Sequence, residues 1–556
     1  MLGYFKSPEF QRVVLLLGMT LTHSTWRKLI NQEIPQPYLD EVFHVPQSQA
    51  FYTGDWTTWD SKITTPPGLY VFAYYINSFR NYMDPTMNMA PPDEWRYVNA
   101  VLYYLLLIAL YVLAAVGSRS VQVDRVLQRE FAIVMFPLLF FFSALFYTDL
   151  LGVFAVVITQ VVWTAASGMS RQNGNRWLRH ILMLLHVLLG LLALSARQTN
   201  IFWVSIYLAG LQVVETIKDR TGVDKIHDPP IAQASVQGKP THVSPSTSLV
   251  LFGAYQLFAD FFTTTLSLSR SAAPIIPQIL VDIWPQLVLL ASFAGFVFWN
   301  GGVVLGDKTN HIATIHLSQM LYIWPLIVFF SWPVMLPLFA DLSSLRRRLP
   351  RSTTIVAFTV LGLLVVHFNT LVHPFTLADN RHYTFYVFRM LRRHWIIKYV
   401  AVPIYVGCGW LVVAVLGGPP EPEPDKKTIR ILHSIDTASV STTLVWLTAT
   451  ALSLVTAPLV EPRYFIVPWL LWRLSVPEYV AKSALQRKIE ELDSNGDPKH
   501  AADPTWIGGL LRFLAAASPY LELTWYLVVN AVTCWVFIHH GFEWPQEPGQ
   551  VQRFMW

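Results

Sequence analysis

The chain is poor in charge. Of its 556 residues, 13% are Asp, Glu, Lys or Arg, about half the share of an ordinary soluble domain. That excludes a string of soluble domains joined by polar linkers. It has only two cysteines, Cys408 and Cys534. Both lie in apolar stretches, so neither a disulfide framework nor a cysteine-rich metal site is available. No Asp-x-Asp pair occurs, and a nucleotide-sugar mechanism that grips a diphosphate through a divalent metal lacks its usual ligands. No repeat is detectable either, which argues against a transporter built from inverted halves. The net charge of +5 comes from basic residues scattered over short loops, with no basic face interleaved with aromatics, so nucleic acid is not an expected partner.

What the chain has instead is apolar length. Residues of the AVILMFWYC set make up 53% and mean hydropathy is +0.40. Runs such as "YVNAVLYYLLLIALYVLAAV", "FAIVMFPLLFFFSALFY" and "YLELTWYLVVNAVTCWVFI" recur from end to end, and a bilayer core needs about 20 such residues per helix. The expectation is an all-α polytopic membrane protein, one integral-membrane domain over 1–556 with about 12–14 transmembrane helices. The first apolar stretch lacks a small-residue cleavage site and reads as an anchor.

Lys and Arg concentrate in six loops, 117–130, 168–180, 217–248, 343–352, 417–437 and 475–512, which the positive-inside rule places in the cytoplasm. Alternation then makes 31–94, 147–149, 197–200, 300–318, 373–395 and 459–465 lumenal. This requires "PPGLYVFAYYINSF" (66–79) to lie on the surface rather than span. Segment 373–395 breaks the rule, with Arg381, Arg389, Arg392 and Arg393 on the lumenal side. Either the topology errs there or these arginines bind an anion, for which the planar guanidinium suits phosphate.

The large first loop holds "PYLDEVFHVPQ" (37–47). If 38–50 is helical, Asp40 and His44 share a face at i and i+4, with Glu41 about 100° away. Acids that merely cap helix ends are the plain alternative. A carboxylate base, an arginine cluster and a membrane-embedded body together suit group transfer from a lipid phosphate. "GGVVLGDKT" (301–309) fails as a phosphate loop because Asp307 interrupts the Gly-Lys-Ser/Thr run. His311 and His316 are five apart and share no helical face. His373, Asp379 and His382 form only a weak metal set. His186 and His367 suit hydrogen bonds within the bundle, and Arg197 suits a snorkelling helix end as well as a substrate contact.

The blocks "YLDEVFHVPQSQAFYTGDWTTWDSKITTPPGLY", "FPLLFFFSALFYTD", "RQTNIFW", "HPFTLADNRHYTFYVFR", "LVEPRYFIVPWLLWRL" and "QRFMW" resemble those of the dolichyl-phosphate-glucose-dependent alpha-1,2-glucosyltransferases of the endoplasmic reticulum. The likeness runs from residue 38 to 556 and is weakest over 217–280 and 475–518. It implies a GT-C-type membrane enzyme, with a catalytic first lumenal loop at 31–94, a lumenal basic loop at 373–395 and cytoplasmic loops at 217–248 and 475–518. The activity it implies adds the terminal alpha-1,2-glucose to Glc2Man9GlcNAc2-diphosphodolichol from dolichyl beta-D-glucosyl phosphate. Inversion needs one base and no covalent intermediate, no metal and no cofactor.

On this resemblance Asp40 is the expected base, with Glu41 a second candidate for base or acceptor contact. His44 orients the carboxylate or binds sugar, Asp60 touches the acceptor, and Trp56 and Trp59 offer stacking surfaces. Arg381 and His382 meet the donor phosphate, supported by Asp379 and Asn380. Arg389, Arg393, Arg463 and Lys308 follow, although Arg463 could simply pair with Glu461. The rival enzyme is a dolichyl-phosphate-mannose-dependent enzyme of the same class. The rival outside enzymes is a transporter or channel-associated subunit, for which Asp282, Asp341 and Glu215 are the nearest intramembrane acids.

Overall fold

The computed structural model describes residues 8–117, 123–171, 175–231, 256–308, 314–340, 345, 349–350, 352–370, 374–418, 438–457, 459–478, 506–545 and 547–556. His311, Asp341, His373 and most of the loops at 217–248, 417–437 and 475–518 lie outside them. The described residues are almost wholly helical, with a single two-stranded antiparallel hairpin, β1 (Gly541–Trp544) and β2 (Glu547–Arg553).

Seven helices among the described residues are long and apolar enough to cross a bilayer: Pro92–Gly117, Asp149–Met169, Arg176–Ala196, Gln198–Thr221, Gln319–Phe339, Ile397–Val415 and Trp506–His539. Counted as one span, the bent pair Ala259–Asp282 and Trp284–Asn300, which meet at 72°, brings the number to eight. Other apolar stretches of the described residues fold into shorter helices. Phe136 is extended before Pro137, splitting Val123–Val134 from Pro137–Phe142, since the residue before proline is driven out of the helical region. Ser352–Phe368 and Val440–Val455 are 17 and 16 residues long. Gly68–Met83, the stretch read as non-spanning, is a 16-residue helix with Tyr75, Phe79, Tyr82 and Met83 bare on its outer face.

Loops far apart in sequence are tied to one another. Gln198 Nε2 donates to Thr64 O at 2.7 Å, the Asp307 amide to Ser61 O at 2.7 Å, and the His316 amide to Val455 O at 2.8 Å. Elsewhere Asp228 bonds Ser441 and Pro230 bridges Ser439, joining the flanks of two basic loops. Two glycines permit the first set of contacts. Gly68 lies so close to Ser195 O that a Cβ would stand 2.5 Å from it, and Gly306, at φ +61°, runs against the carbonyls of Ser61 and Ile63.

Charges inside the bundle are paired, as low dielectric demands. Arg473 meets Glu522 through two bonds of 2.8 Å, and Asp282 is held by Arg179 and Thr216. Asp282, one of the two described acids weighed for a transport path, is therefore a structural ion-pair partner. His367 bonds Tyr399 at 3.0 Å.

Candidate active site

The site is built around residues 38–41. Leu39 is the one described non-glycine residue with positive φ, +52°, a left-handed turn that costs a side-chain-bearing residue about 1–2 kcal/mol. This turn ends the extended entry and starts the Glu41–Tyr52 helix with Asp40 as N-cap residue. The Asp40 side chain makes no capping hydrogen bond. That places the carboxylates of Asp40 and Glu41 in opposite environments.

Glu41 points into the core and is fully buried. Its Oε1 accepts from Arg96 Nε at 2.9 Å and from the Phe146 amide at 2.7 Å. Its Oε2 accepts from Arg96 Nη2 at 2.6 Å and from the Tyr38 amide at 3.1 Å. Arg96 spends its remaining donors on Asn31, Ile34 O and Gln36 O. Both oxygens of Glu41 are thus committed to holding the first loop onto the Pro92–Gly117 helix.

Asp40 points the other way. Its Oδ2 accepts from Arg463 Nη1 at 2.9 Å, and 42% of its side-chain surface stays accessible. Burial pushes the Asp40 carboxyl up, and the charges of Arg463, His44 and His382 more than offset this, holding it below the ordinary aspartate value. His44, one turn on, bonds Tyr70 Oη through Nδ1 at 2.6 Å. Burial lowers its pKa, only partly countered by Asp40.

Arg463 stands at the centre of a carboxylate ring. It bonds Glu461 at 2.8 and 3.1 Å, Asp40 at 2.9 Å, and lies 3.7 Å from Asp149. Desolvation would weaken its charge, but Glu461, Asp40 and Asp149 raise its pKa well above normal. The pairing with Glu461 considered from the sequence is real, and it coexists with the contact to Asp40. Asp149, nearly buried, also pairs with Arg197, and its Oδ2 has no hydrogen-bond partner. Sequence reasoning assigned neither Asp149 nor Tyr147 to the site. Tyr147 Oη accepts from the Asp40 amide at 3.3 Å. The available signal was a lone carboxylate opening a long apolar helix in "FYTDLLGVF".

The other expected residues fall into three groups. Arg381 is gripped by Asp379 through three bonds of 2.8–3.2 Å, bonds Gln552 at 3.0 Å and stacks 4.3 Å from the Trp544 ring. Asn380 accepts from Trp544 Nε1 at 2.6 Å. His382 Nδ1 donates to Trp556 O at 3.0 Å, with Nε2 3.7 Å from Asp379. The segment after the hairpin therefore straps this loop down, and Tyr38 closes the circuit by exchanging bonds of 3.0 and 2.8 Å with the Arg553 backbone.

In the first loop, the Asp60 amide is held by Gln47 and the Asp60 carboxylate by the Lys62 amide. Trp59 bonds Ile63 O at 3.3 Å, and Trp56, half exposed, packs on Phe51 and Tyr74. Lys308 turns back onto Asn300 O in its own loop, even though that loop docks beside residues 61–64. Arg389 and Arg393 are exposed on and just after the Tyr383–Arg392 helix, and neither makes an ion pair among the described residues. No group of three or more potential metal ligands occurs among the described residues.

A bundle of membrane helices with a solvent-reaching carboxylate, a buried arginine beside it and a cationic loop strapped over the same end defines a membrane enzyme for phosphate-linked substrates. The chain belongs to the DIE2/ALG10 family, whose model matches residues 34–474. A protein of Emericella nidulans is 36% identical over 96% of each chain, and one of Homo sapiens 27% identical over 95% of this chain and 94% of its own. Both carry the name Dol-P-Glc:Glc(2)Man(9)GlcNAc(2)-PP-Dol alpha-1,2-glucosyltransferase. Among solved structures, the archaeal oligosaccharyltransferase AglB of Archaeoglobus fulgidus is 12% identical, with a TM-score of 0.37 over 95% of this chain and 56% of that one.

Proposed function

We propose that this chain is an inverting alpha-1,2-glucosyltransferase of the GT-C class in the endoplasmic-reticulum membrane, with its site facing the lumen. Its donor is dolichyl beta-D-glucosyl phosphate and its acceptor Glc2Man9GlcNAc2-diphosphodolichol. The carrying observation is the division of labour at 40–41. Glu41 is saturated by Arg96 and two backbone amides, whereas Asp40 keeps one oxygen free of described hydrogen bonds and reaches solvent.

Asp40 is the base of this reading. Its free Oδ1 takes the proton of the acceptor hydroxyl as that oxygen attacks C1 of glucose. The C1–O bond to phosphate breaks on the opposite face, and dolichyl phosphate leaves with the electron pair. Arg463 holds Oδ2, so the second oxygen is aimed at the acceptor and the carboxylate stays ionised. Positive charge from the Arg381–His382 loop and Arg463 favours the phosphate dianion as it departs. His44 and Tyr70 wall the base, and Asp60 with Trp56 and Trp59 lies on the acceptor side. No metal is required.

The test is glucosyl transfer by purified protein given both lipids. One glucose added in alpha-1,2 linkage supports the reading. Transfer from dolichyl-phosphate-mannose but not from the glucose donor overturns it.

A further inference from the structure

The first loop carries a row of aromatic rings away from the base. His44 bonds Tyr70, and the Tyr70 ring meets Phe51 and Trp59 edge-on at 5.9 and 5.8 Å. Phe51 in turn lies 4.8 Å from Trp56, which meets the edge of Tyr74 at 5.0 Å. Phe51 stands in the last turn of the Glu41–Tyr52 helix and Asp40 at its N-cap. That puts the far end of the row about 16 Å from the base.

The two tryptophans of the row differ. Trp59 is half-buried, and its N–H is spent on Ile63 O at 3.3 Å. Trp56 keeps 47% of its surface bare, and its N–H has no acceptor among the described residues. The turn that presents it is pinned from both sides. The Asp55 carboxylate accepts from the amides and hydroxyls of Thr57 and Thr58 at 2.6–3.1 Å. Buried Gln47 donates to Thr58 O at 2.8 Å and accepts from the Asp60 amide at 2.9 Å.

A half-bare indole on a membrane enzyme suits either the lipid headgroup zone or the apolar face of a sugar. Charge decides between them. Hydrogen bonds from Thr58 and Thr57 hold the Asp55 carboxyl down to about 2, so a fixed anion flanks the ring. Thr57, Thr58 and Lys62 beside it are exposed. An ionised carboxylate is costly to bring into lipid. A ring with a free N–H among hydroxyls and charges matches a ligand that offers C–H faces and O–H groups together.

We propose that Trp56 stacks on a mannose of the acceptor glycan and selects the acceptor at a point remote from the chemistry. This rests on the transfer reading above and deepens it. The reacting hydroxyl lies within hydrogen-bonding reach of Asp40, and the terminal pair of glucoses is too short to extend from there to Trp56. Mannose residues are what the acceptor carries beyond those glucoses. Binding gained at that distance is equal in the ground and transition states, so it lowers KM and leaves kcat alone.

The experiment is transfer kinetics of the full chain, in detergent and in nanodiscs, with two acceptors. One is the complete Glc2Man9GlcNAc2 lipid, the other an alkyl glycoside of the terminal diglucose alone. Trp56→Leu keeps an apolar body against Phe51 and Tyr74 but has no flat face. It should raise KM for the complete acceptor about 3- to 10-fold, with kcat unchanged, and leave the short acceptor as in wild type. Trp56→Phe should fall between the two. An unmoved KM for the complete acceptor overturns the assignment. So does an equal rise on both acceptors, which marks a fold defect, or a rise in nanodiscs alone, which marks a membrane anchor. Calorimetric binding of free Man9GlcNAc2 separates this assignment from the enzyme reading. If wild type transfers no glucose yet Trp56→Leu weakens that binding 3- to 10-fold, the enzyme reading falls and the subsite stands. If wild type transfers glucose and Trp56→Leu matches it on both acceptors, the subsite falls and the enzyme reading stands.

Discussion

Asp40 and Arg463 are 423 residues apart in sequence and 2.9 Å apart in space. The contact joins the first loop to the segment between the Val440–Val455 and Ile466–Ser475 helices, and it fixes which oxygen of Asp40 is free. Because Arg463 is itself braced by Glu461 and Asp149, Asp40 is held by a charge network rather than by a single flexible side chain.

Asp40→Asn and Glu41→Gln should fail differently. The first removes the proton acceptor and should lower transfer by about 10² to 10⁴-fold, with donor binding and thermal stability near wild type. The second strands the Arg96 guanidinium in the core, and breaking one side of a buried pair costs about 3–5 kcal/mol. Its defect should appear as lost folded protein in thermal unfolding. A stable, inactive Glu41→Gln beside an active Asp40→Asn would reverse the roles.

The pH profile follows from the same network. Asp40 titrates below the ordinary 3.8 because Arg463 and His44 outweigh burial. A base with a depressed pKa is lost only as pH falls through that depressed value, so kcat should hold steady down through the mildly acidic range. In Arg463→Met burial prevails and the carboxyl pKa rises, moving the acid limb upward. An unmoved limb in that variant would separate Arg463 from the base.

How much of this was readable in advance depended on whether a feature is local. Hydropathy announced a helical membrane protein, and the structure is a bundle of long apolar helices. Residue types also drew attention to Asp40 and Arg463. The different surroundings of Asp40 and Glu41 were illegible, because they arise from the left-handed turn at Leu39 and from Arg96, 55 residues downstream of Glu41. Asp149 escaped notice for a similar reason. A single acid before an apolar run looks like a helix N-terminus until Arg197 and Arg463 are seen to converge on it. Hydropathy alone does not register the break at Phe136–Pro137.

Leu39 offers a test of backbone control. Leu39→Val keeps an apolar side chain, but β-branching penalises the left-handed conformation, and Asp40 should shift. Misplacement by about 1 Å costs up to roughly 10²-fold in rate, so kcat should fall about 10- to 100-fold. Leu39→Met, unbranched at Cβ, should remain near wild type. Equal activity in both variants would show that the turn does not set the base.

Metal independence is checked by chelation. With arginines supplying positive charge around Asp40, transfer should survive EDTA unchanged. Loss of activity that a divalent ion restores would show that the leaving phosphate needs more than Arg381, His382 and Arg463.

The strap gives the last prediction. Arg381 is held flat on Trp544 between Asp379 and Gln552, and the same tryptophan bonds Asn380. Trp544→Leu removes the cation–π contact and the hydrogen bond to Asn380 together, leaving Arg381 to Asp379 and Gln552. A partly exposed cation–π contact is worth about 0.5–1 kcal/mol, and the lost indole bond adds to that. The donor KM should therefore rise about 3- to 10-fold with kcat little changed, since Asp40 and Arg463 are untouched. Trp544→Phe keeps the ring face and loses only the N–H, so it should fall between the two. A change confined to thermal stability, with donor KM unmoved in both variants, would make the strap a structural clasp with no part in holding the donor.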